Sequence, residues 1–332
     1  MIANDAPTID ARPTNCAGYR VCPICAEPDS ILWLSAPDRF HGRTKQYQLW
    51  RCAACSMVWL DEPPSKSDMG NHYGPDYDRT ISAAAKEPEH WFGRRDELLR
   101  LKPSGGIVLD LGCATGGFLT TLKGPFWKLY GIEISEHAAA IARDRCGAEV
   151  FVGDVLEATF PPNSFDAITC FNVFEHMHEP DAVLARVAKW LKPGGVFYTM
   201  MPNIDSAGAR IFRSYWYALE LPRHLYHFSP ATLKRLGENS GLTAVAVGAH
   251  RELYFDYSVR YLVDDLLCRV GISRMPPARA QTVKRGIPWR VVRKAFRVGV
   301  MPFINAVASL AGKGETITAV FLKNGASHGT SA

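Results

Sequence analysis

From residue 106 onward the chain alternates between two rhythms. Short apolar runs bounded by glycine, proline, asparagine or aspartate are followed by longer stretches with apolar residues at helical spacing. The runs predict strands over 106–111, 128–133, 149–152, 165–171, 195–201 and 242–248, and "ETITAVFLK" (315–323) reads as a last strand. After the fourth strand, Val183, Leu184, Val187, Trp190 and Leu191 fall on one helical face, with Pro180 in the first turn and Gly194 just past the end. A later helix opens at "SPATLKRL", where Ser229 can cap and Pro230 can take the first position. Strands and helices in alternation are the signature of a parallel α/β sheet.

The rest of the chain divides around that core. Residues 1–20 are polar and read as a flexible N-terminus. Residues 21–62 hold "CPIC" and "CAAC", with β-rich pieces "QYQLWRC" and "MVWL". A linker with a lid or helix follows over 63–105, opening at "DEPPSKSDMG". The core takes 106–248 and 315–324, and 249–314 is an insertion with apolar residues at helical spacing. At 332 residues and 47% hydrophobic composition, the chain has enough apolar surface for a sizeable core.

Charge singles out the insertion. Between Leu266 and Gly314 there is no acidic residue but ten basic ones, so a formal net charge of +5 less these ten leaves −5 elsewhere. The segment admits three readings: nucleic-acid contact, peripheral contact with an anionic membrane through 266–314, or a cap over a site. Its interspersed apolar residues favour the membrane or the cap. The opening residues lack a signal pattern, and no apolar run reaches the roughly 18 residues a spanning helix needs. The expected location is the cytoplasm, with the inner membrane surface as the peripheral alternative.

Four of the nine cysteines come in two knuckles, Cys22/Cys25 and Cys52/Cys55, separated by a spacer that can form a hairpin. Four thiolates so spaced can close a tetrahedral structural Zn²⁺ site, which leaves no open position for catalysis. A redox pair is the rival, and two such pairs in one small lobe would be unusual.

The stretch "IVLDLGCATGGFL" (107–119) reads as strand, glycine turn and helix start, a geometry that frees backbone N–H groups for a ligand. It lacks the Gly-Lys-Ser/Thr of a phosphate loop, and Ala114 weakens a dinucleotide fingerprint. Glu133 in "GIEIS" ends the next strand and can accept both hydroxyls of an adenosine ribose, which NAD and S-adenosylmethionine share. Asp110 at the end of the first strand can anchor an ammonium group, and Asp154 in "VGDV" can accept from an adenine amino group.

Together "VLDLGCATGGF", "GIEIS", "GDV", "FDAITCFNVFEHM" and "LKPGGVFYTMMPN" resemble the motif series of class I S-adenosylmethionine-dependent methyltransferases. The resemblance implies a Rossmann-like seven-stranded sheet with its last strand antiparallel. It also implies cofactor-facing positions at Asp110, Gly112, Ala114, Gly116, Glu133, Ile134, Asp154, Val155, Asn172 and His176. With the cysteine knuckles, the chain is similar to methyltransferases carrying an N-terminal zinc-binding lobe, some of which modify sugars in bacterial glycan pathways.

Ligands of parallel α/β sheets gather at the carboxyl ends of the strands. "NVFEHMHEP", with His176 and His178, and "LELPRHLYHFSP", with Arg223, His224, Tyr226 and His227, should meet there. His227, His224 and Tyr226 are the candidate bases for methylating an oxygen or carbon of a sugar, a lipid-linked glycan or a related small metabolite. Tyr73 or Tyr77 can supply a lid. The rival readings are an RNA methyltransferase that grips its substrate through the zinc lobe and basic segment, and an NAD-dependent oxidoreductase.

Overall fold

The computed structural model describes residues 20–73, 89–250, 254–271 and 313–325. Three strands form the N-terminal lobe: β1 (Ser30–Pro37), β2 (Gln46–Cys52) and β3 (Val58–Leu60). The spacer between the knuckles makes the expected hairpin, with β1 antiparallel to β2 from Ser30↔Cys52 to Pro37↔Gln46. Helix α1 (Glu89–Leu101) leads into the larger unit.

That unit contains β4 (Gly106–Leu111), a short α2 (Gly117–Thr120), β5 (Trp127–Glu133), α3 (Glu136–Cys146) and β6 (Glu149–Val152). It continues through β7 (Phe165–Phe171), α4 (Pro180–Trp190), β8 (Leu191–Pro202) and α5 (Ala207–Phe212). Next come β9 (Tyr226–His227), α6 (Pro230–Asn239), β10 (Leu242–His250), α7 (Tyr254–Arg269) and β11 (Thr316–Lys323). The sheet order is β10-β11-β8-β7-β4-β5-β6. Strands β8, β7, β4, β5 and β6 pair in parallel, and β11 runs antiparallel to β8 and β10. The expected seven-stranded sheet with an antiparallel last strand is therefore present.

Alternation along the central strands sends side chains to two apolar layers. Leu109 and Leu111 of β4 and Phe197 and Met201 of β8 face one layer. Val108 of β4 and Val196 and Tyr198 of β8 face the other. The first layer runs on without interruption into Leu49, Met57 and Trp59 of the lobe.

Two local expectations need correction. Helix α4 does not end at Gly194: its C-cap is Leu191 in extended conformation, and the chain passes directly into β8. Gly194 instead takes φ 74° near the start of β8, beside the register shift between Phe165 and Ala167. The lobe is also not a self-contained ribbon. Its sheet has the order β1-β2-β3-β9, and the fourth strand comes from the larger unit.

Candidate functional site

Strand β4 pairs with β5 on one side and β7 on the other, so a crevice opens beyond its carboxyl end, where chain connections diverge. Asp110 sits inside that end, 4% exposed, accepting a 2.6 Å hydrogen bond from the Thr169 hydroxyl. Burial pushes its carboxyl up to about 7. A buried acid held with one neutral donor suits a cation arriving from outside.

The following turn requires its glycines. Gly112 has φ 69°, and a Cβ there would lie 2.5 Å from Val173 Cγ2. Ala114 takes φ 46° and Gly116 φ 72°, so the backbone coils tightly before α2. This coil aims the Ala114 N–H at Glu133, whose Oε2 accepts it at 2.9 Å while Oε1 accepts from Ser135 N at 2.9 Å. Burial raises the Glu133 carboxyl, and each oxygen keeps a lone pair for a ribose hydroxyl. Ile134 beside it is 76% exposed, an apolar face left open at the mouth of the crevice.

Asp154 Oδ1 accepts from Leu156 N at 2.8 Å, and its Oδ2 lies 3.1 Å from Lys66, which also reaches Glu179 at 3.1 Å. Val155 is buried beneath it. Asn172 ends β7 with φ 56°, its N–H donating to Met200 O at 2.8 Å and its side chain exposed. Asp110, Gly112, Glu133, Asp154 and Asn172 thus line the ends of four adjacent strands.

The second set of residues converges beside them. His176 donates from Nδ1 to Arg223 O (3.0 Å) and packs edge-on against His224, ring centroids 4.6 Å apart. His224 donates from Nδ1 to Ala218 O (2.9 Å), and its ring lies 6.2 Å from that of His227. Burial pushes His176 and His227 down to about 3 and His224 well below its usual range, so all three rings are neutral near pH 7. His227 Nε2 has no hydrogen-bond partner among the described residues. Tyr226 donates its hydroxyl to His178 O at 3.2 Å, which occupies it as a donor. Tyr73 lies 6.4 Å from the His176 ring. Tyr77 falls outside the described residues.

Glu175 was not among the residues singled out from the sequence. It is 1% exposed, and burial pushes its carboxyl up to about 8. Neither of its side-chain oxygens has a hydrogen-bond partner among the described residues. Its only sequence signal is its place in "FNVFEHM", where an acid precedes a histidine.

In the lobe, Cys22 Sγ lies 3.6 Å from Cys55 Sγ, and Cys25 Sγ 3.6 Å from Cys52 Sγ, with all four sulfurs within 4.8 Å of one another. A tetrahedral ion with Zn–S bonds of about 2.3 Å needs sulfurs about 3.8 Å apart, so the four fit such an ion. Ile24 N and Cys55 N point at Cys22 Sγ (3.5 Å) and Cys52 Sγ (3.3 Å), donors that favour thiolates.

Of the basic insertion, the described residues include Arg269, paired with Asp265 at 2.8 Å, and Lys313. The remaining basic residues, and with them most of the segment read as a membrane contact or cap, lie outside them. No helix among the described residues is long and apolar enough to cross a membrane.

Residues 83–247 match the family model described as a methyltransferase domain. The ubiquinone biosynthesis O-methyltransferase of Thiobacillus denitrificans is 31% identical over 151 residues, 42% of this chain and 65% of that protein. The enzyme of the same name from Burkholderia vietnamiensis is 29% identical over 189 residues, 51% of this chain and 80% of that protein. Among solved structures, phosphoethanolamine N-methyltransferase 2 of Haemonchus contortus, in complex with S-adenosyl-L-methionine, superposes with a TM-score of 0.51 at 18% identity. That match covers 89% of this chain and 69% of the other. With the sheet order and the motif series, these findings give residues 83–247 a methyltransferase domain on the fold of class I S-adenosylmethionine-dependent methyltransferases.

Proposed function

We propose that the enzyme moves the methyl group of S-adenosylmethionine to a hydroxyl oxygen of a small organic acceptor, a sugar, lipid-linked glycan or related ring compound. The observation that carries this reading is the neutral imidazole cluster, with the unpartnered Nε2 of His227, set against the buried Glu175 carboxyl. An amine is methylated from its neutral form and needs no proton acceptor at the transfer step, whereas a hydroxyl must pass its proton to one as the new bond forms. The curated relatives described above are O-methyltransferases by name, in agreement with an oxygen acceptor.

Bound S-adenosylmethionine supplies an electrophilic methyl group. Asp110 holds its ammonium, Glu133 its ribose hydroxyls and Asp154 its adenine amino group, with Gly112, Ala114 and Gly116 keeping the turn close and Ile134, Val155, Asn172 and His176 lining the cofactor. The acceptor oxygen forms a bond to the methyl carbon as the carbon–sulfur bond breaks, and its proton passes to a neutral imidazole. His227 is the candidate base, because its buried Nε2 has no partner among the described residues, whereas Nε2 of His224 faces the Glu220 and Glu175 carboxyl groups at 3.6 and 4.0 Å. Tyr217, tilted by 32–33° against Tyr254, Tyr257 and Tyr261, offers an aromatic face suited to an acceptor ring. The cysteine cluster holds a structural Zn²⁺.

Methyl-labelled S-adenosylmethionine incubated with the enzyme and fractionated cell extract tests the reading. Label is expected in a glycan, lipid or small-metabolite fraction as an alkali-stable ether. Label in RNA would overturn it and assign residues 266–314 to nucleic-acid contact.

A further inference from the structure

Glu175, His176 and His224 each bring an atom able to bind a metal, and these atoms lie within 4.8 Å of one another. The hydrogen bonding around them is one-sided. A carbonyl oxygen only accepts, so the contacts to Arg223 O and Ala218 O place the protons of His176 and His224 on Nδ1. Each Nε2 is then left with a bare lone pair. That of His224 faces Glu220 Oε2 at 3.6 Å and Glu175 Oε1 at 4.0 Å. Glu220 is already neutralised by Arg223 at 2.6 Å, whereas neither Glu175 oxygen has a donor among the described residues. Lone pairs therefore converge on a buried space, where either a proton on Glu175 or a cation offsets the cost of burying them.

We propose that Glu175, His176 and His224 bind one divalent cation of the first transition row. Two imidazoles fixed through Nδ1–H···O=C bonds and one carboxylate make a three-ligand set that leaves coordination positions open. This donor set differs from the four thiolates of the lobe: it accepts Mn²⁺, Fe²⁺ or Zn²⁺, whereas sulfur selects zinc. Resting on the reading of an oxygen acceptor, an open position takes the acceptor hydroxyl. The cation lowers the pKa of that hydroxyl, and His227, one ring beyond His224, receives the proton.

The test separates the cation site from the acceptor. Full-length protein, stripped with EDTA and reloaded with one equivalent of zinc for the cysteines, is titrated with Mn²⁺ while the free ion is followed by electron paramagnetic resonance. One equivalent is expected to bind. Binding should weaken at least tenfold in Glu175→Gln and in His224→Gln, both checked for native circular dichroism, and persist in Asp110→Asn. A wild type that binds no Mn²⁺ overturns the proposal whether or not the variants fold, and leaves Glu175 a protonated acid. Full binding by folded Glu175→Gln also overturns it. Because no acceptor is present, failure to methylate hydroxyls would count against the oxygen-acceptor reading and leave the cation site standing.

Discussion

Replacing Asp110 by asparagine should make the apo-protein more stable and ruin its hold on the cofactor. The carboxyl lies inside the end of β4, and burial pushes it from 3.8 to about 7. For an acid raised on folding, stability is full below the unfolded pKa and is lost as pH rises to the folded one. At pH 8 the ionised Asp110 therefore costs the empty protein about 4 kcal/mol as an upper bound, from about three pKa units at 1.36 kcal/mol each. Asparagine keeps the acceptor for the Thr169 hydroxyl and removes the charge. Urea denaturation without cofactor should give a variant-minus-wild-type gain that approaches this bound at pH 8 and shrinks to about 1–2 kcal/mol at pH 5. Comparing both proteins at the same pH cancels the buried histidines, which act in the opposite direction and destabilise the fold as pH falls below about 6.5. Calorimetry with S-adenosylhomocysteine, whose amino-acid end carries the same ammonium, should show affinity falling by roughly 1.5–3 kcal/mol, the loss of a hydrogen bond between charged groups. A variant no more stable than wild type at pH 8, with unchanged cofactor affinity, would refute the assignment.

Glu133→Ala should weaken S-adenosylhomocysteine by roughly 1–3 kcal/mol in the same calorimeter, and unchanged affinity would remove the ribose role. Gly112→Ala should destabilise the fold by about 1–3 kcal/mol in denaturant, because φ is 69° and the new methyl meets Val173. Cys52→Ser should abolish bound zinc by elemental analysis and loosen the lobe, read out by tryptophan fluorescence; a wild type purified with no metal and an intact lobe would end the zinc assignment. His227→Asn should cut kcat with little change in KM for S-adenosylmethionine. In the wild type the rate should show no titration near pH 6.5, because burial holds this imidazole at about 3.

What the sequence revealed, and what it concealed, follows from how local each feature is. The strand from Gly106 to Leu111 and that from Phe165 to Phe171 match their expected bounds, because an apolar run closed by a glycine turn or a polar residue carries its own limits. The capping box at Ser229 and Thr232 is equally local. The start of β8 was read four residues late, since Leu191 belongs to an apolar helical face and its extended conformation comes from pairing with Phe165. Strand β9, at two residues, has no periodicity to read, and only its partner β3 makes it a strand. Glu175 was passed over for a similar reason. An acid beside a histidine is ordinary in sequence, and its significance lies in a burial that the rest of the fold imposes.

These concealed elements are connected, and their connection explains why a cysteine lobe accompanies this site. Leu225 O accepts from Leu60 N of β3 at 2.8 Å, and Leu225 N donates to Glu175 O at 2.9 Å. The segment carrying His224 and His227 is therefore held between the lobe and the residue that faces its imidazoles. Val58 pairs with His227 and Trp59 with Tyr226, and side chains alternate along a strand, so a slip of one residue would turn His227 to the opposite face. Lys66, bridging to Asp154, and His178, 2.8 Å from Pro64 O, tie the chain leaving the lobe to the segments that follow β6 and β7. An ion held by the four thiolates would keep β1, β2 and β3 in register, and that register in turn fixes where the imidazoles stand.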